Sequence, residues 1–240
     1  MRALRILLVL LVVVGLLFVV VDRVAVHFAE GEVADRLKTT ENLSSTPDVS
    51  IKGFPFLTQM ASGELDDVEV GVKDYEAATG KGAQTIRIDD LRADMRDVTF
   101  SGDYSSATAA DATGTATIAY DELLKAAKSE PTPLGLGLTA QVVGLSDGGN
   151  GKIKLSVKVS GLATIHLLSS VAVKDDKVQV KADGVPRFGG LDLAEGLIRS
   201  VTDFQQVIDR LPGGIELARV QATKDGVEIG VKGSDVRLAG

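Results

Sequence analysis

The chain of 240 residues has no cysteine and no tryptophan, and it has only two histidines. Without cysteine there is no disulfide framework, no thiol chemistry and no lipid attachment at a cysteine. His27 and His166 stand far apart in the sequence, and neither has a second ligand-type residue at metal spacing. The domain must therefore be stabilised by burial of apolar side chains, which are mostly Val, Leu, Ile and Ala.

Sequence motifs that carry chemistry are also scarce. Neither a phosphate loop nor a His-Glu-x-x-His helix is present. Gly135 to Ala140 fits the dinucleotide glycine pattern, but prolines precede it and no helix follows. Asp147 to Asn150 lacks the closing glutamate of a calcium loop and is interpreted as a hairpin turn. The acidic pairs at 66–67, 89–90 and 175–176 are interpreted as solvated charge at strand edges. We therefore predict no catalytic residue, no metal and no cofactor.

What the sequence does contain is a strong membrane signal. Ile6 to Val21 is an apolar run of sixteen residues without a charge, and Arg2 and Arg5 precede it. Positive residues ahead of such a run keep the N-terminus in the cytoplasm and send the remainder across the membrane. Two interpretations stay open, a cleaved signal peptide and a signal anchor slightly shorter than the ~20 residues of a relaxed span. The lack of an Ala-x-Ala site within ten residues after Val21 favours the anchor. Both place residues 22–240 in the cell envelope as a single exported domain.

The charge of the exported part is acidic. Residues 1–21 contain two of the 26 basic residues and none of the 33 acidic ones, so 24 basic and 33 acidic residues remain, a net charge of −9. No window is dominated by Lys and Arg, and nucleic acid is therefore not an expected partner. We also expect the domain as a whole to gain nothing from anionic headgroups, so that membrane contact comes from the anchor or from apolar surface.

The spacing of apolar residues after the run predicts one helix and then many strands. Asp22 to Leu43 has apolar residues at helical spacing, and Ser44 to Asp48 interrupts it. From Val49 the apolar residues alternate with a period of two, which is typical of strands with one buried face. Short turns rich in Gly, Asp and Asn indicate antiparallel hairpins. The predicted strands lie near 49–51, 65–72, 86–100, 113–119, 136–144, 152–160, 163–174, 177–182, 215–223 and 227–232.

Two further helices are predicted among the strands. Asp121 to Ser129 is short and ends at prolines. Leu191 to Leu211 carries a continuous apolar stripe, Asp192 can cap its start, and Pro-Gly-Gly follows it. The elements together predict an α+β fold, in which a long curved antiparallel sheet of roughly ten strands wraps around one or two amphipathic helices.

One segment, Ile51 to Gln59, is distinctive. Gly53 permits a turn, and Pro55 forces Phe54 into an extended conformation. Phe54 and Phe56 are then expected to project from a loop that cannot be a central strand. Two interpretations stay open: the rings plug one end of the core, or they form an apolar lip at the mouth of a lipid pocket.

The arrangement of these blocks resembles the LmeA family of phospholipid-binding envelope proteins. The resemblance rests on an N-terminal membrane segment, a helix, and the blocks Val49 to Gln59, Gly63 to Val70, Tyr120 to Leu124, Leu211 to Ala222 and Asp225 to Ile229. It implies a cell-envelope protein that binds phospholipids, including phosphatidylinositol-type lipids, and that supports assembly of envelope lipids or lipoglycans. It also implies a fold like the tubular lipid-binding domains, where a long curved sheet surrounds an acyl-chain cavity. No family site residues are carried over.

A seam between sheet and helix lined by Val, Leu and Ile would suit acyl chains, since each buried methylene contributes about 0.8 kcal/mol. We therefore predict non-covalent phospholipid binding and lipid transfer, without enzymatic activity and with the membrane as partner. Two alternatives are a purely structural envelope protein with a packed core and an enzyme acting on lipid or lipoglycan. The predicted lipid contacts are Phe54, Phe56, Leu57, Leu197, Val201, Phe204 and Ile208.

Overall fold

The protein is an α+β chain whose described part contains three helices and two antiparallel sheets. The structure is a computed structural model. It describes residues 2–78, 85–102, 106–126, 131–135, 137–161, 164–174, 177–184, 204–207 and 215–238. The α+β class and the antiparallel pairing are confirmed, but the predicted single long sheet is wrong, because the strands form two sheets.

Helix α1 runs without interruption from Arg2 to Thr40. It joins the apolar run to the following amphipathic segment, as the spacing predicted. By length and composition it can cross a membrane. Every described residue before Asp22 is exposed, and the first buried positions are Asp22, Val26 and Ala34. The N-terminal half of α1 therefore contributes nothing to the protein core.

The first sheet has six strands in the order β1-β2-β3-β4-β12-β11. β1 pairs with β2 in antiparallel register, with Ser50 opposite Glu69. Helix α2 (Phe56–Ser62) connects these two strands, and α3 (Tyr120–Ala126) follows β4. The bounds are β1 Asp48–Lys52, β2 Glu64–Ala78, β3 Thr85–Phe100, β4 Ala107–Ala119, β11 Ile215–Ala222 and β12 Gly226–Leu238.

The second sheet also has six strands, in the order β10-β9-β8-β7-β6-β5. Its central strands are consecutive hairpins, because turns such as Asn150-Gly151 provide positive φ angles. The bounds are β5 Thr132–Gly135, β6 Leu138–Gly149, β7 Lys152–Val159, β8 Thr164–Lys174, β9 Lys177–Ala182 and β10 Phe204–Val207.

The chain divides into two compact units, each with its own core. The first comprises residues 1–72, 92–113 and 233–240, and the second residues 73–91 and 114–232. The first core contains Val26, Ile51, Phe56, Leu65, Val98 and Ala109. The second core includes Tyr120, Ala140, Ile153, Leu155, Val157, Val159, Ile165, Leu167, Leu217, Val220, Ala222 and Val227.

The predicted helix from Leu191 to Leu211 is wrong where the structure can test it. Residues 204–207 form strand β10, and Phe204 pairs in register with Val180 of β9. An edge position beside β9 offers backbone hydrogen bonds to this short segment, so sheet context overrides its helical spacing. The remainder of the predicted helix, including Leu197, Val201 and Ile208, lies outside the described residues.

Candidate lipid-contacting site at the base of helix α1

The candidate site begins at the point where α1 enters the protein core. Asp22 is fully buried, directly after the predicted membrane run. Its Oδ1 accepts a hydrogen bond from the Leu57 backbone N–H at 2.9 Å, and its Oδ2 accepts one from the Arg23 guanidinium at 2.6 Å. Leu57 lies in the first turn of α2, and the N-cap residue before that helix, Pro55, provides no side-chain hydrogen bond. Asp22 therefore caps α2 from another helix.

The charge of Asp22 is favoured by these contacts. Burial raises the pKa of its carboxyl, but hydrogen bonds from Leu57, Arg23 and Phe56 outweigh it, and the pKa lies below the usual aspartate value. The ionised carboxylate is therefore the form that connects α1 to α2.

A turn before α2 orients the Phe-Pro-Phe segment. Gly53 has φ +92°, as its position in the sequence suggested. A Cβ at Gly53 would require the Gln59 and Asp66 side chains to move, and the positive φ is itself strained for any residue with a Cβ. Gln59 in turn accepts the Asp66 backbone N–H at 2.8 Å through Oε1. Within the Gly-Phe-Pro-Phe-Leu-Thr-Gln block, Gly53 and Gln59 thus form one packed turn.

Phe54 is the exposed aromatic residue of this turn, with 56% of its surface accessible. The Arg23 guanidinium carbon lies 5.3 Å from the centre of its ring, a cation–π geometry. Arg23 also donates to the Gly53 carbonyl at 3.3 Å. The ring is therefore held beside α1, one turn or less beyond the apolar run.

Phe56 has the opposite environment. It is 5% exposed, begins helix α2 and packs in the first core with Val26 of α1. The expectation that both rings project from a loop is wrong for Phe56, because the chain turns into a helix directly after Pro55. Leu57 is half-buried and packs against the same core. The structure thus brings Phe54, Phe56 and Leu57 together at α1, with only Phe54 largely exposed.

Two exposed apolar residues of α1 extend this site beyond the predicted run. Val24 is 50% exposed and Phe28 is 73% exposed. The predicted apolar run ends at Val21, and the charged residues Asp22 and Arg23 follow it. The spacing of Val24 and Phe28, four residues apart, was the available signal that an apolar helix face continues.

Three carboxylates in the first unit could hold a metal ion by geometry. One ligand oxygen each from Asp67, Glu69 and Asp94 lies within 4.8 Å of the others. Lys52 already bonds to Glu69 and lies 3.8 Å from Asp67, and Arg96 lies 3.3 Å from Asp94. The hydrogen bond with Lys52 lowers the pKa of Glu69 and raises the pKa of Lys52. Lys52 and Arg96 therefore already pair with these three carboxylates, and we assign no metal role to the cluster.

A serine and a histidine meet on the second sheet without forming a catalytic triad. Ser156 Oγ lies 3.0 Å from His166 Nδ1 across β7 and β8. Among the described residues, no carboxylate is bonded to the other ring nitrogen, which a triad requires. The segment Gly144-Leu-Ser-Asp-Gly148 matches the Gly-x-Ser-x-Gly motif of a nucleophile elbow. It lies within strand β6, however, and not at a strand-to-helix turn.

The blocks near residues 120 and 225 have structural roles. Tyr120 donates its hydroxyl hydrogen bond to the Thr223 carbonyl at 2.7 Å, and burial, with a smaller contribution from Asp147, raises its pKa. A Cβ at Gly226 would lie 2.2 Å from the Ile118 carbonyl oxygen. These residues connect α3 and β4 to the β11–β12 hairpin.

Comparison with known proteins agrees with the blocks described above. A family model described as LmeA-like phospholipid-binding matches residues 20–231. No curated protein and no solved structure matches the chain. The family match begins two residues before Asp22 and covers both units.

Proposed function

The chain belongs to the LmeA-like phospholipid-binding family, and on that premise we propose that it binds phospholipid acyl chains non-covalently in the cell envelope. The resemblance derived from the sequence blocks is confirmed. The family is described by phospholipid binding and not by a catalytic activity, and a binding role accords with the incomplete Ser156–His166 pair.

The observation that carries the proposal is the position of Phe54 beside α1. With the run from Ile6 to Val21 in a bilayer, Arg23 lies at the level of the headgroups, where arginine is favourable. Phe54 stacks with Arg23 and is therefore at the same depth. An exposed aromatic ring at this level contacts the boundary between headgroups and acyl chains.

We propose that Phe54 and the exposed part of Leu57 form an apolar edge of the protein beside α1, and that a lipid passes over this edge when it leaves the bilayer. Phe56 supports this edge from inside, because it is buried between α2 and α1. Leu197, Val201, Phe204 and Ile208 remain our proposal for further acyl-chain contacts, independently of the helical stripe, which is not formed at Phe204. On this proposal α1 retains the protein at the outer surface of the cytoplasmic membrane, and the phospholipid, including the phosphatidylinositol type, is transferred for envelope lipid or lipoglycan assembly.

Lipid binding is testable with a soluble form that begins at Val20. Described residues before Asp22 are all exposed, and the family match begins at residue 20, so this form keeps both cores. Purified without detergent, it is expected to show a phospholipid mass by native mass spectrometry. Absence of lipid both there and after incubation with liposomes would favour a purely structural protein with a packed core.

The role of Phe54 is tested by lipid extraction from liposomes. Phe54→Ser removes about 1.5 kcal/mol of apolar contact, so extraction is expected to slow roughly tenfold. Val143→Ser is the matched control, because Val143 is also an exposed apolar residue, at 41%. Equal extraction rates for the two variants would contradict a role for Phe54 at the edge.

A further inference from the structure

In its described residues, the second sheet has one face that carries lysines and few acids. Alternation along β7 buries Ile153, Leu155, Val157 and Val159 and turns the residues between them outward. The same alternation in β8 exposes every second side chain, and in β9 Lys181 is exposed between Val180 and Ala182, which are buried. We call this outward surface the lysine face, and its lysines are Lys152, Lys154, Lys158, Lys174 and Lys181.

The lysine face has a charge opposite to that of the whole chain, which is −7. Among the described residues of β6 to β9 and the residues that directly follow β9, two acids occur, Asp147 and Asp183. Asp147 stands opposite buried Ile153 and so belongs to the other side of the sheet. Asp183 is on the lysine face and bonds to Lys152 at 2.8 Å. No ion pair to a described carboxylate involves Lys154, Lys158 or Lys181.

An exposed leucine lies among these lysines. Leu168 is 42% exposed and stands directly opposite Lys154 on the neighbouring strand. Its side chain lies over Gly148, where a Cβ would approach it to 2.7 Å, so a glycine in β6 makes room for it. Ser156, His166 and Ser170 are polar residues on the same face of β7 and β8. The described part of the lysine face is therefore cationic, with Leu168 as a large exposed apolar residue within it.

We propose that the lysine face docks on the surface of a bilayer that contains anionic phospholipid. Lysines near an anionic membrane surface each add to the attraction, their long side chains can reach the phosphates, and an exposed leucine can enter the interface. The choice of phospholipid as the occupant rests on the proposed function. The expectation that the acidic domain gains nothing from anionic headgroups was based on its net charge, which does not show this surface. The period of two in β7 to β9 places their lysines on one side of the sheet.

The test uses cosedimentation of the soluble form from Val20 with vesicles. Vesicles of phosphatidylcholine with phosphatidylglycerol are expected to bind it, and vesicles of phosphatidylcholine alone are expected to bind much more weakly. Replacing Lys154, Lys158 and Lys181 together by Gln should weaken binding to the anionic vesicles on the order of a hundredfold, at about fivefold per lysine. The same replacement of Lys38, Lys224 and Lys232 removes equal charge elsewhere and should change binding much less.

A footprint on the unaltered sequence gives a second measurement that needs no variant. Acetylation of Lys154, Lys158 and Lys181 should slow in the presence of anionic vesicles, while acetylation of Lys224 should not. Equal protection by neutral vesicles, equal effects of the two triple variants, or protection by self-association without vesicles would each overturn the proposal. Equal protection by a soluble anionic polysaccharide would also overturn it, since the surface would then recognise a polyanion.

This outcome is separable from that of the proposed function. Acyl-chain binding is tested by the lipid found in native mass spectra and by the effect of Phe54→Ser on lipid extraction. The lysine variants affect only the preference for anionic vesicles. Retained lipid with no headgroup preference would overturn the lysine face alone.

Discussion

Phe54 and Phe56 are two residues apart and lie in opposite environments, the first exposed beside Arg23 and the second buried in the first core. The reason is the turn at Gly53 and the start of α2 directly after Pro55. Phe54 lies on the turn before the helix and is exposed, whereas Phe56 is the first helical residue and packs into the first core. Residues of the same type in one motif therefore have different roles.

The first prediction separates these roles by stability. Phe56→Ala should lower the free energy of unfolding by about 3–5 kcal/mol, because it leaves a cavity in the core. Phe54→Ser should change it by no more than about 0.5 kcal/mol, as for a surface substitution. Urea unfolding of the soluble form from Val20 measures both. Similar losses for the two variants would show that Phe54 is also part of the core.

The second prediction concerns the acid sensitivity of Asp22. Its pKa is lowered in the folded protein, so the carboxylate stabilises the fold at pH values above the ordinary aspartate pKa of about 3.9. That contribution is lost as the pH falls through the lowered native value. Asp22→Asn should therefore be less stable at neutral pH and lose less stability on acidification. Unfolding midpoints between neutral and acidic pH test this, with Asp225→Asn as the control, and superimposable curves for Asp22→Asn and the unaltered protein would contradict it.

At the scale of elements, close contact between strands decides which glycines are required. Gly226 begins β12 where a Cβ would collide with the Ile118 backbone of β4. Backbone atoms of a paired strand cannot yield as the end of a flexible side chain can. Tyr120 adds a hydrogen bond to Thr223 beside the same hairpin.

The third prediction follows from that contact. Gly226→Ala should destabilise the protein by about 1–3 kcal/mol through overpacking. Gly184→Ala is the matched control, since nothing lies within 4 Å of its added Cβ and its φ is not positive. Thermal unfolding of the two variants provides the comparison, and equal melting temperatures would mean that β4 and β12 separate without cost.

At the scale of the whole molecule, the continuous helix α1 links an exposed apolar run to the first core. Val26 and Ala34 are buried, whereas the described residues before Asp22 bury nothing. A helix that spans a bilayer needs a run of apolar residues facing lipid. Helix α1 has such a run, and its later part packs into the first core.

The fourth prediction is that the mature protein keeps residues 1–21 and stays with the membrane fraction. The reason is that no Ala-x-Ala site lies within ten residues after Val21 and the helix continues through the junction at Val21. N-terminal sequencing of the protein from membranes is the measurement. A mature sequence that starts after Val21 would show a cleaved signal peptide.

Much of the order of helices and strands was predictable because it depends on patterns of neighbouring residues in the sequence. Apolar spacing alone indicated α1 beyond Val21 and strands such as β7, where Ile153 and Leu155 alternate with lysines. The family blocks were also local, since Gly53 and Gln59 form one turn within seven residues. Patterns of this kind depend on neighbours along the chain, so a single sequence can show them.

Only the tertiary structure decided which side chains of those patterns are exposed. Phe56 is buried because α1 and α2 meet, with Asp22 capping a helix 35 residues away. Phe204 lies in a strand because β9 offers an edge, and helical spacing could not reveal that partner. The lysine face exists because three hairpin strands align their outward positions, although the chain as a whole is acidic. Periodicity within an element is a property of the sequence, but the surface that an element presents depends on what packs against its other side.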